Sequence, residues 1–416
     1  MNVDGERLQA DLEANGEIGS IDAEEGRGRT VLTGTEADRR ARERLVDRLE
    51  DAGMEVRVDA VGNVAGRWTP DRADPDAAPV AAGSHLDSVP WGGIFDGPLG
   101  VYAALEAVRA MQDANLAPER PIEVVSFTEE EGGRFDVGLL GSSVAAGTRP
   151  RTDALALTDS DGTTVDEALS SIGFRGEDVL DASEWDAWLE LHIEQDTRLE
   201  RAGRQVGVVD AIAGIANCRV EVEGEANHAG ATPMGERQDA LAAAAELVLD
   251  VEAAATEVVA EESETAVGTV GKLDVTPNAK NVVPGAVRTI LDVRDVDYDA
   301  MCSIVEAARE SAERLAEERP VRTEFDRYRD QRPSVMSDRC VTALNEAADD
   351  AGVSRTELYS SALHDTANVA EVTDAAMLFA PSRDGISHNP LEWSDWGDCT
   401  SATRTLAGAM ATLAGA

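Results

Sequence analysis

The sequence predicts an α/β protein in which a largely parallel sheet flanked by helices is interrupted by an inserted ferredoxin-like α+β domain. Three observations support this prediction. The chain has 416 residues, which is too long for one ordinary hydrophobic core. Strand-like apolar segments alternate with helical segments in the first and last parts of the chain. Between these parts, the elements follow the order strand, helix, strand, strand, helix, strand.

The first part of the chain alternates helices with strands. Residues 36–52 have the periodicity of an amphipathic surface helix, and strand-like segments follow at 55–68 and 79–89. A helix is expected from Pro98, because proline is favoured at the first helical position. The segment IEVVSFTEEE, residues 122–131, is the next strand. Buried strands that alternate with helices predict a largely parallel sheet.

The pattern changes near Ala213 and changes back after Pro333. The inserted part contains four predicted strands, at 217–226, 265–275, 286–296 and 321–328, and two predicted helices, at 237–260 and 298–318. After it, the α/β pattern resumes with a strand at 375–382 and a closing helix at 401–416. We therefore expect a main domain built from residues 1–212 and 333–416, with an inserted domain at 213–332.

The chain is strongly acidic, with a formal net charge of -44 at pH 7. The acidic residues are spread along the chain, which argues against a disordered acidic tail. Such a surface repels nucleic acid and anionic membranes, so we expect neither as a partner. An acidic solvated surface suits a salt-rich cytoplasm and indicates a halophilic protein. The alternative interpretation is a surface that recruits basic partners.

The four cysteines, Cys218, Cys302, Cys340 and Cys399, are scattered and form no CxxC pair. They therefore suggest neither a zinc ribbon nor a disulfide framework. The first residues, MNVDGERLQADLE, are acidic and lack the apolar core of a signal peptide. Since no apolar run has the length of a membrane span, we expect a cytoplasmic protein.

All five histidines lie beside small, amide or acidic residues. The segments are GSHLD at His85, LELHIEQ at His192, ANHAGATP at His228, ALHDT at His364 and GISHNP at His388. One histidine in such a setting is more often structural than functional. Because all five histidines lie in such settings, they indicate a functional site.

Several of these side chains follow predicted strands, where open α/β sheets bind their ligands. His85, His192 and His388 each end or follow a strand, as does the triplet Glu129–Glu131, and Asp96 precedes the helix at Pro98. Histidine, aspartate and glutamate together suit zinc, manganese or cobalt. Three neutral imidazoles and two carboxylates around two divalent cations leave a charge of about +2, which suits two-metal hydrolysis.

The motifs together resemble the hydantoinase/carbamoylase family of amidohydrolases. They span residues 83–390 and are GSHLDSVPWGGIFDG, TEEEGGRF, ELHIEQ, NHAGATPM, NVVPG, DVRD and GISHNP. That family contains N-carbamoyl-L-amino-acid hydrolases, β-ureidopropionases and allantoate amidohydrolases, and it is related to two-metal exopeptidases. Each motif alone is modest evidence, whereas the set is specific.

The resemblance implies a binuclear metal site that holds zinc, manganese, cobalt or nickel. His85 and His192 would hold one ion, Glu131 and His388 the other, and Asp96 would bridge the two. Asp87 would orient the His85 imidazole, a contact that fixes the tautomer of a metal ligand; the plain alternative is a turn residue.

The general base implied by the family is Glu130, directly before the ligand Glu131. The acidic triplet leaves a second register open, with Glu129 and Glu130 as the pair. The family places its two glutamates immediately before the glycine, here Gly132, which favours Glu130 and Glu131.

Substrate recognition would use Gln195, His228, Asn281 and Arg294. Arginine suits the carboxylate that these substrates carry, although a salt bridge on a strand would also explain Arg294. The chain departs from the family at YSSALHDT, where Ser361 and Leu363 replace two glycines of a glycine-rich segment. This departure concerns the substrate's side chain more than the metals.

The resemblance implies a hydrolase that cleaves the ureido C–N bond of N-carbamoyl amino acids or related ureido acids, including allantoate, with metal-activated water and Glu130 as base. The domain at 213–332 would be a lid and dimerisation domain, and the domain formed by 1–212 and 333–416 the catalytic one. In the expected homodimer, His228 would act in the partner's site. The alternatives are an aminoacylase or dipeptidase, and a catalytically inactive metal- or ligand-binding protein; HIEQ and TEEEGGRF favour the ureido branch. Which ureido acid is the substrate stays open.

Overall fold

The computed structural model describes residues 1–416. Its helices are α1 (Gly5–Gly16), α2 (Glu36–Asp51), α3 (Pro98–Asp113), α4 (Leu140–Ala145), α5 (Arg151–Leu155), α6 (Val165–Ile172), α7 (Arg198–Ala202), α8 (Ala240–Glu261), α9 (Tyr298–Glu318), α10 (Asp338–Asp350), α11 (Thr366–Val369) and α12 (Trp396–Leu413). Its strands are β1 (Glu55–Val58), β2 (Val64–Trp68), β3 (Val80–His85), β4 (Ile122–Phe127), β5 (Ala187–Ile193), β6 (Val206–Ile212), β7 (Gly214–Glu223), β8 (Asn227–His228), β9 (Val267–Thr276), β10 (Val282–Val283), β11 (Ala286–Asp295), β12 (Arg322–Gln331), β13 (Ser334–Val335), β14 (Arg355–Ser360) and β15 (Ala375–Ala380). Short 3-10 helices lie at Ala182–Glu184, Met234–Glu236 and Arg383–Gly385.

The chain forms two compact units. One consists of Met1–Asp210 and Met336–Ala416, and the other of Ala211–Val335. No helix in either unit combines the length and the apolar character that a membrane crossing would require.

The first unit contains most of a nine-stranded sheet. Its strand order is β1-β2-β4-β3-β5-β15-β6-β13, with β14 paired to β6. The four central strands, β4, β3, β5 and β15, are parallel to one another, whereas the outer pairs β1–β2, β2–β4 and β15–β6 are antiparallel. All residues of the four central strands are buried, as expected for parallel strands covered by helices on both faces.

The second unit is a four-stranded antiparallel sheet with two long helices. The strand order β12-β7-β11-β9 and the chain order β7, α8, β9, β11, α9, β12 are those of a ferredoxin-like unit. Buried residues alternate along β7 and β11, so one face of this sheet packs into the core with α8 and α9. Each helix begins at an aspartate, Asp239 or Asp297, whose carboxylate accepts two main-chain N–H groups of the first turn.

These observations confirm the predicted fold class, an α/β sheet with an inserted ferredoxin-like α+β domain. Parallel pairing joins the four central strands, whereas the outer strands β1, β2, β6 and β13 are joined by antiparallel pairs.

Candidate metal and active site

The predicted metal ligands of the first unit come from neighbouring strand ends. His85 is the last residue of β3 and lies opposite Phe127, the last residue of β4, in a parallel pair. His192 lies near the end of β5, opposite Phe379 of β15. Because parallel register places the carboxyl ends of strands at one edge of the sheet, the loops that follow them share that edge.

Asp96 lies at the centre of the cluster. Its Oδ1 is 3.5 Å from Nε2 of His85 and 3.3 Å from Nε2 of His192, and its Oδ2 is 3.5 Å from Nε2 of His388. On the second side, Nε2 of His388 is 3.3 Å from Oε2 of Glu131. The cluster therefore consists of two three-residue sets, His85–Asp96–His192 and Asp96–Glu131–His388, which share Asp96.

Gly97 lets Asp96 and His85 approach each other. Its φ is +80°, and a Cβ at this position would overlap the His85 imidazole. Because Pro98 begins α3 directly after this glycine, Asp96 lies just before a helix N-terminus, where negative charge is stabilised.

The two sets fit divalent cations. Three atoms of these almost completely buried side chains have no hydrogen-bond partner of good geometry. They are Nε2 of His85, Nε2 of His192 and Oε1 of Glu131. Unsatisfied buried polar atoms are costly unless they bind an ion. Imidazole and carboxylate donors suit zinc, manganese, cobalt and nickel.

The protein environment changes the titration of these groups. Burial lowers the pKa of His85 to about 4. Burial also disfavours the charged form of His192, but the Asp96 carboxylate outweighs it and raises the pKa of His192 to about 9. Burial would raise the pKa of Asp96, but the imidazoles of His192, His85 and His388 lower it overall. In the metal-free cluster, Asp96 is therefore the carboxylate most strongly held in its charged form.

Glu130 lies beside His85 but belongs to neither set. Its Oε2 is 3.6 Å from Nε2 of His85. The pKa of Glu130 and that of Glu131 are raised well above the usual value, first by burial and then by neighbouring carboxylates. The Glu130 carboxylate therefore lies next to the proposed ligands, and a bound ion would leave this carboxylate free.

Glu129 faces a different environment. Its Oε1 accepts the main-chain N–H groups of Arg134 and Phe135, each at 2.8 Å. The carboxylate thereby closes the turn at residues 129–135 and is in neither ligand set. The contacts of Glu129 are those of a structural residue.

Asp87 contacts the site in two ways. The His85 ring is held by the main-chain carbonyl of Asp87, 3.1 Å from Nδ1, whereas the Asp87 carboxylate is 3.8 Å from that nitrogen. The carboxylate oxygens accept the main-chain N–H groups of Glu130, at 3.3 Å, and Glu131, at 3.1 Å. Asp87 thus positions the histidine through its backbone and the two glutamates through its side chain.

Gln195, expected to contact substrate, lies on the metal cluster. Its φ is +58°, and its Nε2 donates a hydrogen bond of 2.8 Å to Oδ2 of Asp96.

His364 packs against His192 with 4.6 Å between ring centroids, and its Nε2 is 3.1 Å from Oγ of Ser360. Ser360 ends β14, and the departing residues Ser361 and Leu363 follow it.

The remaining predicted residues, His228, Asn281 and Arg294, lie in the second unit. His228 is exposed on β8 and pairs with Val282, the residue after the exposed Asn281. Main-chain N–H groups of Gly230 and Ala231 donate to Nδ1 of His228, at 3.0 and 3.1 Å, which leaves the ring proton on Nε2. Arg294 on β11 donates from Nε and Nη2 to Asp292, at 2.8 and 3.2 Å.

Glu392 was not among the residues predicted from the sequence. Its carboxylate is buried and accepts main-chain N–H groups of the loop that carries Asp96. A signal existed in the sequence, because Glu392 follows His388 by four residues in GISHNPLEW. This spacing does not reveal the contact of Glu392 with the loop of Asp96, because the two meet only in the folded chain.

Comparisons with known proteins agree over almost the whole chain. The model of peptidase family M20/M25/M40 matches residues 81–412. The N-carbamoyl-L-amino acid amidohydrolase of Geobacillus stearothermophilus is 39% identical over 408 residues, which cover 97% of both chains. The ureidoglycolate hydrolase of Arabidopsis thaliana is 36% identical over 423 residues, which cover 99% of this chain and 87% of that protein. The crystal structure of a hydantoinase/carbamoylase family amidase from Burkholderia multivorans matches with a TM-score of 0.91 at 35% identity, covering 99% of this chain and 98% of that chain.

Proposed function

Because the chain belongs to peptidase family M20/M25/M40 and is a metal-dependent amidohydrolase, we propose that it hydrolyses the ureido C–N bond of N-carbamoyl amino acids or related ureido acids, allantoate included. The observation that carries the proposal is the position of Glu130, 3.6 Å from a ligand nitrogen but outside both ligand sets. The names of the relatives, an N-carbamoyl amino acid amidohydrolase and a ureidoglycolate hydrolase, support a ureido substrate.

The proposed metal residues are His85 and His192 for one ion, Glu131 and His388 for the other, and Asp96 between them. Divalent cations held by these residues would supply Lewis acidity toward the scissile carbonyl and would lower the pKa of water. Glu130 accepts the proton of the water that attacks the carbamoyl carbon, and returns it to the nitrogen that leaves. Asp87 keeps Glu130 in place, because its carboxylate holds the Glu130 and Glu131 amides.

His228 is assigned the role of hydrogen-bond donor to the oxygen on which negative charge develops. The two N–H groups that donate to Nδ1 support this role, since they leave a proton on the exposed Nε2. Arg294 and Asn281 are assigned to the substrate carboxylate and to the polar groups near it. Arg294 would then exchange the Asp292 carboxylate for that of the substrate.

A substrate panel tests the reaction. Purified enzyme, loaded in turn with zinc, manganese, cobalt or nickel, is given N-carbamoyl-L-amino acids, a β-ureido acid, allantoate, N-acetyl amino acids and a dipeptide. Water attack on a ureido group releases ammonia and carbon dioxide, whereas N-acetyl amino acids and dipeptides release only free amino acids, with acetate from the former. Ammonia is therefore the readout for the ureido acids, and the free amino acid is the readout for the other substrates. We expect kcat/KM for the best ureido acid to exceed that for the matching N-acetyl amino acid by roughly 100-fold or more, because a site that binds the terminal NH2 rejects a methyl group. Preferential cleavage of N-acetyl amino acids or dipeptides would instead assign the chain to the aminoacylase or dipeptidase branch.

The proposal includes a homodimer in which His228 acts in the partner's site. His228 lies in the second unit, which contributes none of the five proposed metal ligands. Most residues of edge strand β9 of this unit are exposed, among them the apolar side chains of Val267 and Leu273. An open edge of this kind can pair with a second copy.

Complementation tests the exchange of His228. His228→Ala and Glu130→Gln are each expected to be nearly inactive, and heterodimers of the two are prepared by co-expression with different affinity tags and tandem purification. If His228 acts in the partner's site, one site of each heterodimer carries both changes and the other carries neither, so activity returns. A heterodimer of wild-type and doubly substituted chains is the control. A heterodimer as inactive as its parents would show that His228 acts within its own chain.

A further inference from the structure

Glu392 joins two loops that carry proposed metal ligands. It lies four residues after His388, and its side chain contacts the loop that ends in Asp96. Its Oε1 accepts the main-chain N–H groups of Phe95, at 2.8 Å, and Asp96, at 3.0 Å. The residue is only 1% exposed, so water does not compete for these bonds.

Gly93 makes room for this carboxylate. A Cβ on Gly93 would overlap the Glu392 carboxyl group, although Gly93 does not have a positive φ. The absence of a side chain therefore serves the close approach of the loop to Glu392. From Gly93 to Asp96, the loop wraps around the carboxylate.

The other end of the same loop is held by a buried arginine. The guanidinium of Arg29 donates from Nη2 to the carbonyl of Leu86, and the Arg29 main-chain N–H donates to Gly92 at 3.0 Å. Asp87, Glu392 and Asp96 are among the charged groups near this guanidinium. Arg29 thus holds the loop at Leu86 and Gly92, and Glu392 holds it at Phe95 and Asp96.

The Glu392 carboxylate is retained at a cost. Its Oε2 is buried without a hydrogen-bond partner, and Asp96 adds a second negative charge nearby. An apolar side chain in its place would leave the main-chain N–H groups of Phe95 and Asp96 without this acceptor. The contacts of Glu392 lead to Asp96, the one residue that both ligand sets share.

We infer that Glu392 is a positioning residue that holds Asp96 at the point between the two ligand sets and so sets the affinity of both metal ions. This inference rests on the metal set of the proposed function. In affecting both sets, Glu392 differs from Glu131 and His388, each of which belongs to one set only.

Metal titration of the full-length chain tests the inference. Zinc affinity is measured by competition with a chromophoric chelator, and stoichiometry by elemental analysis, for wild type, Glu392→Ala and Glu392→Gln. Loss of a residue that orients a metal ligand typically weakens metal binding by about 10- to 100-fold, and we expect this loss at both sites in Glu392→Ala. Glu392→Gln should bind zinc almost as wild type does, because its amide oxygen still accepts both N–H groups.

Glu106 provides a matched control. It is also a fully buried glutamate of the first unit, and its Oε1 accepts a main-chain N–H, that of Asp4 at 3.0 Å. Glu106→Ala should lower the thermal stability of the metal-free protein without changing zinc affinity at either site. If Glu392→Ala does not fold, Glu392→Asp replaces it, because its shorter carboxylate cannot reach both N–H groups and should also weaken both sites.

Gly93→Ala gives an independent route to the same defect, since the added methyl group displaces the Glu392 carboxylate. It should weaken zinc binding at both sites as Glu392→Ala does. The double variant should bind zinc no more weakly than Glu392→Ala alone, because both changes remove the same contact between Glu392 and the loop.

Four results would overturn the inference: wild-type affinity in Glu392→Ala, loss at one site only, an equal loss in the Glu106 control, or a loss in Glu392→Gln as large as in Glu392→Ala. Failure of wild type to bind two ions would instead overturn the proposed metal set.

Discussion

Glu130→Gln is expected to keep both metal ions and to lose turnover by about 100- to 10,000-fold, the range that general acid–base catalysis supplies. The amide has nearly the same shape as the carboxylate but cannot accept the proton of the attacking water. The main-chain N–H groups of residues 130 and 131 still donate to Asp87, so the position of the side chain is retained. Ammonia release from a ureido acid and elemental analysis of the same sample are the two measurements.

The neighbouring glutamates are the matched controls for this experiment. Glu131→Gln should lower metal occupancy, since Glu131 belongs to a ligand set. Glu129→Gln should have turnover close to that of wild type, because its Oε1 closes a turn by accepting N–H groups of Arg134 and Phe135. If Glu129→Gln lost turnover and Glu130→Gln lost metal, the base and the ligand would be Glu129 and Glu130, the register that the sequence also allows.

Removal of metal should abolish the activity, and added zinc, manganese, cobalt or nickel should restore it. The reason is the same cluster: five side chains converge on one small volume, and three of their polar atoms lack other partners. The enzyme is treated with a chelator, dialysed and assayed before and after each ion is added. Calcium is the control, because it prefers a shell made only of oxygen ligands and should not restore turnover. Full activity in a sample shown by elemental analysis to be metal-free would refute the metal-dependent mechanism.

Metal occupancy should also fall as the pH falls. The pKa of the proposed ligand Glu131 is raised by burial and by neighbouring carboxylates, so in the metal-free protein this group keeps its proton to a higher pH than a free glutamate does. A divalent ion must displace the proton of its ligand carboxylate, so binding releases protons and strengthens as the pH rises. Occupancy that is independent of pH between mildly acidic and neutral buffer would contradict this expectation.

Much of the fold could be read from local patterns. The segments of β3, β4, β5 and β15 are fully buried over all of their six or seven residues, and such segments carry a strong signal. The start of α3 is encoded by Pro98. In contrast, β13 and β14 were not predicted. β13 has only two residues, and both strands are only partly buried, so pairing with β6 decides their strand conformation more than their residues do.

The sequence by itself determined the fold class, the family and the residue types of the candidate site, because periodicity and motif spacing are local properties of the chain. The tertiary structure alone decided which contacts each of those residues makes. It showed that Asp96 is shared by two ligand sets, that Glu129 closes a turn while Glu130 lies beside His85, and that the Asp87 carboxylate holds the amides of two glutamates. It also brought Glu392 to the main-chain amide of Asp96, across 296 residues of sequence. Such contacts depend on the register of parallel strands and on the paths of the loops between them, and no local pattern encodes the distance between two loops that are far apart in the chain.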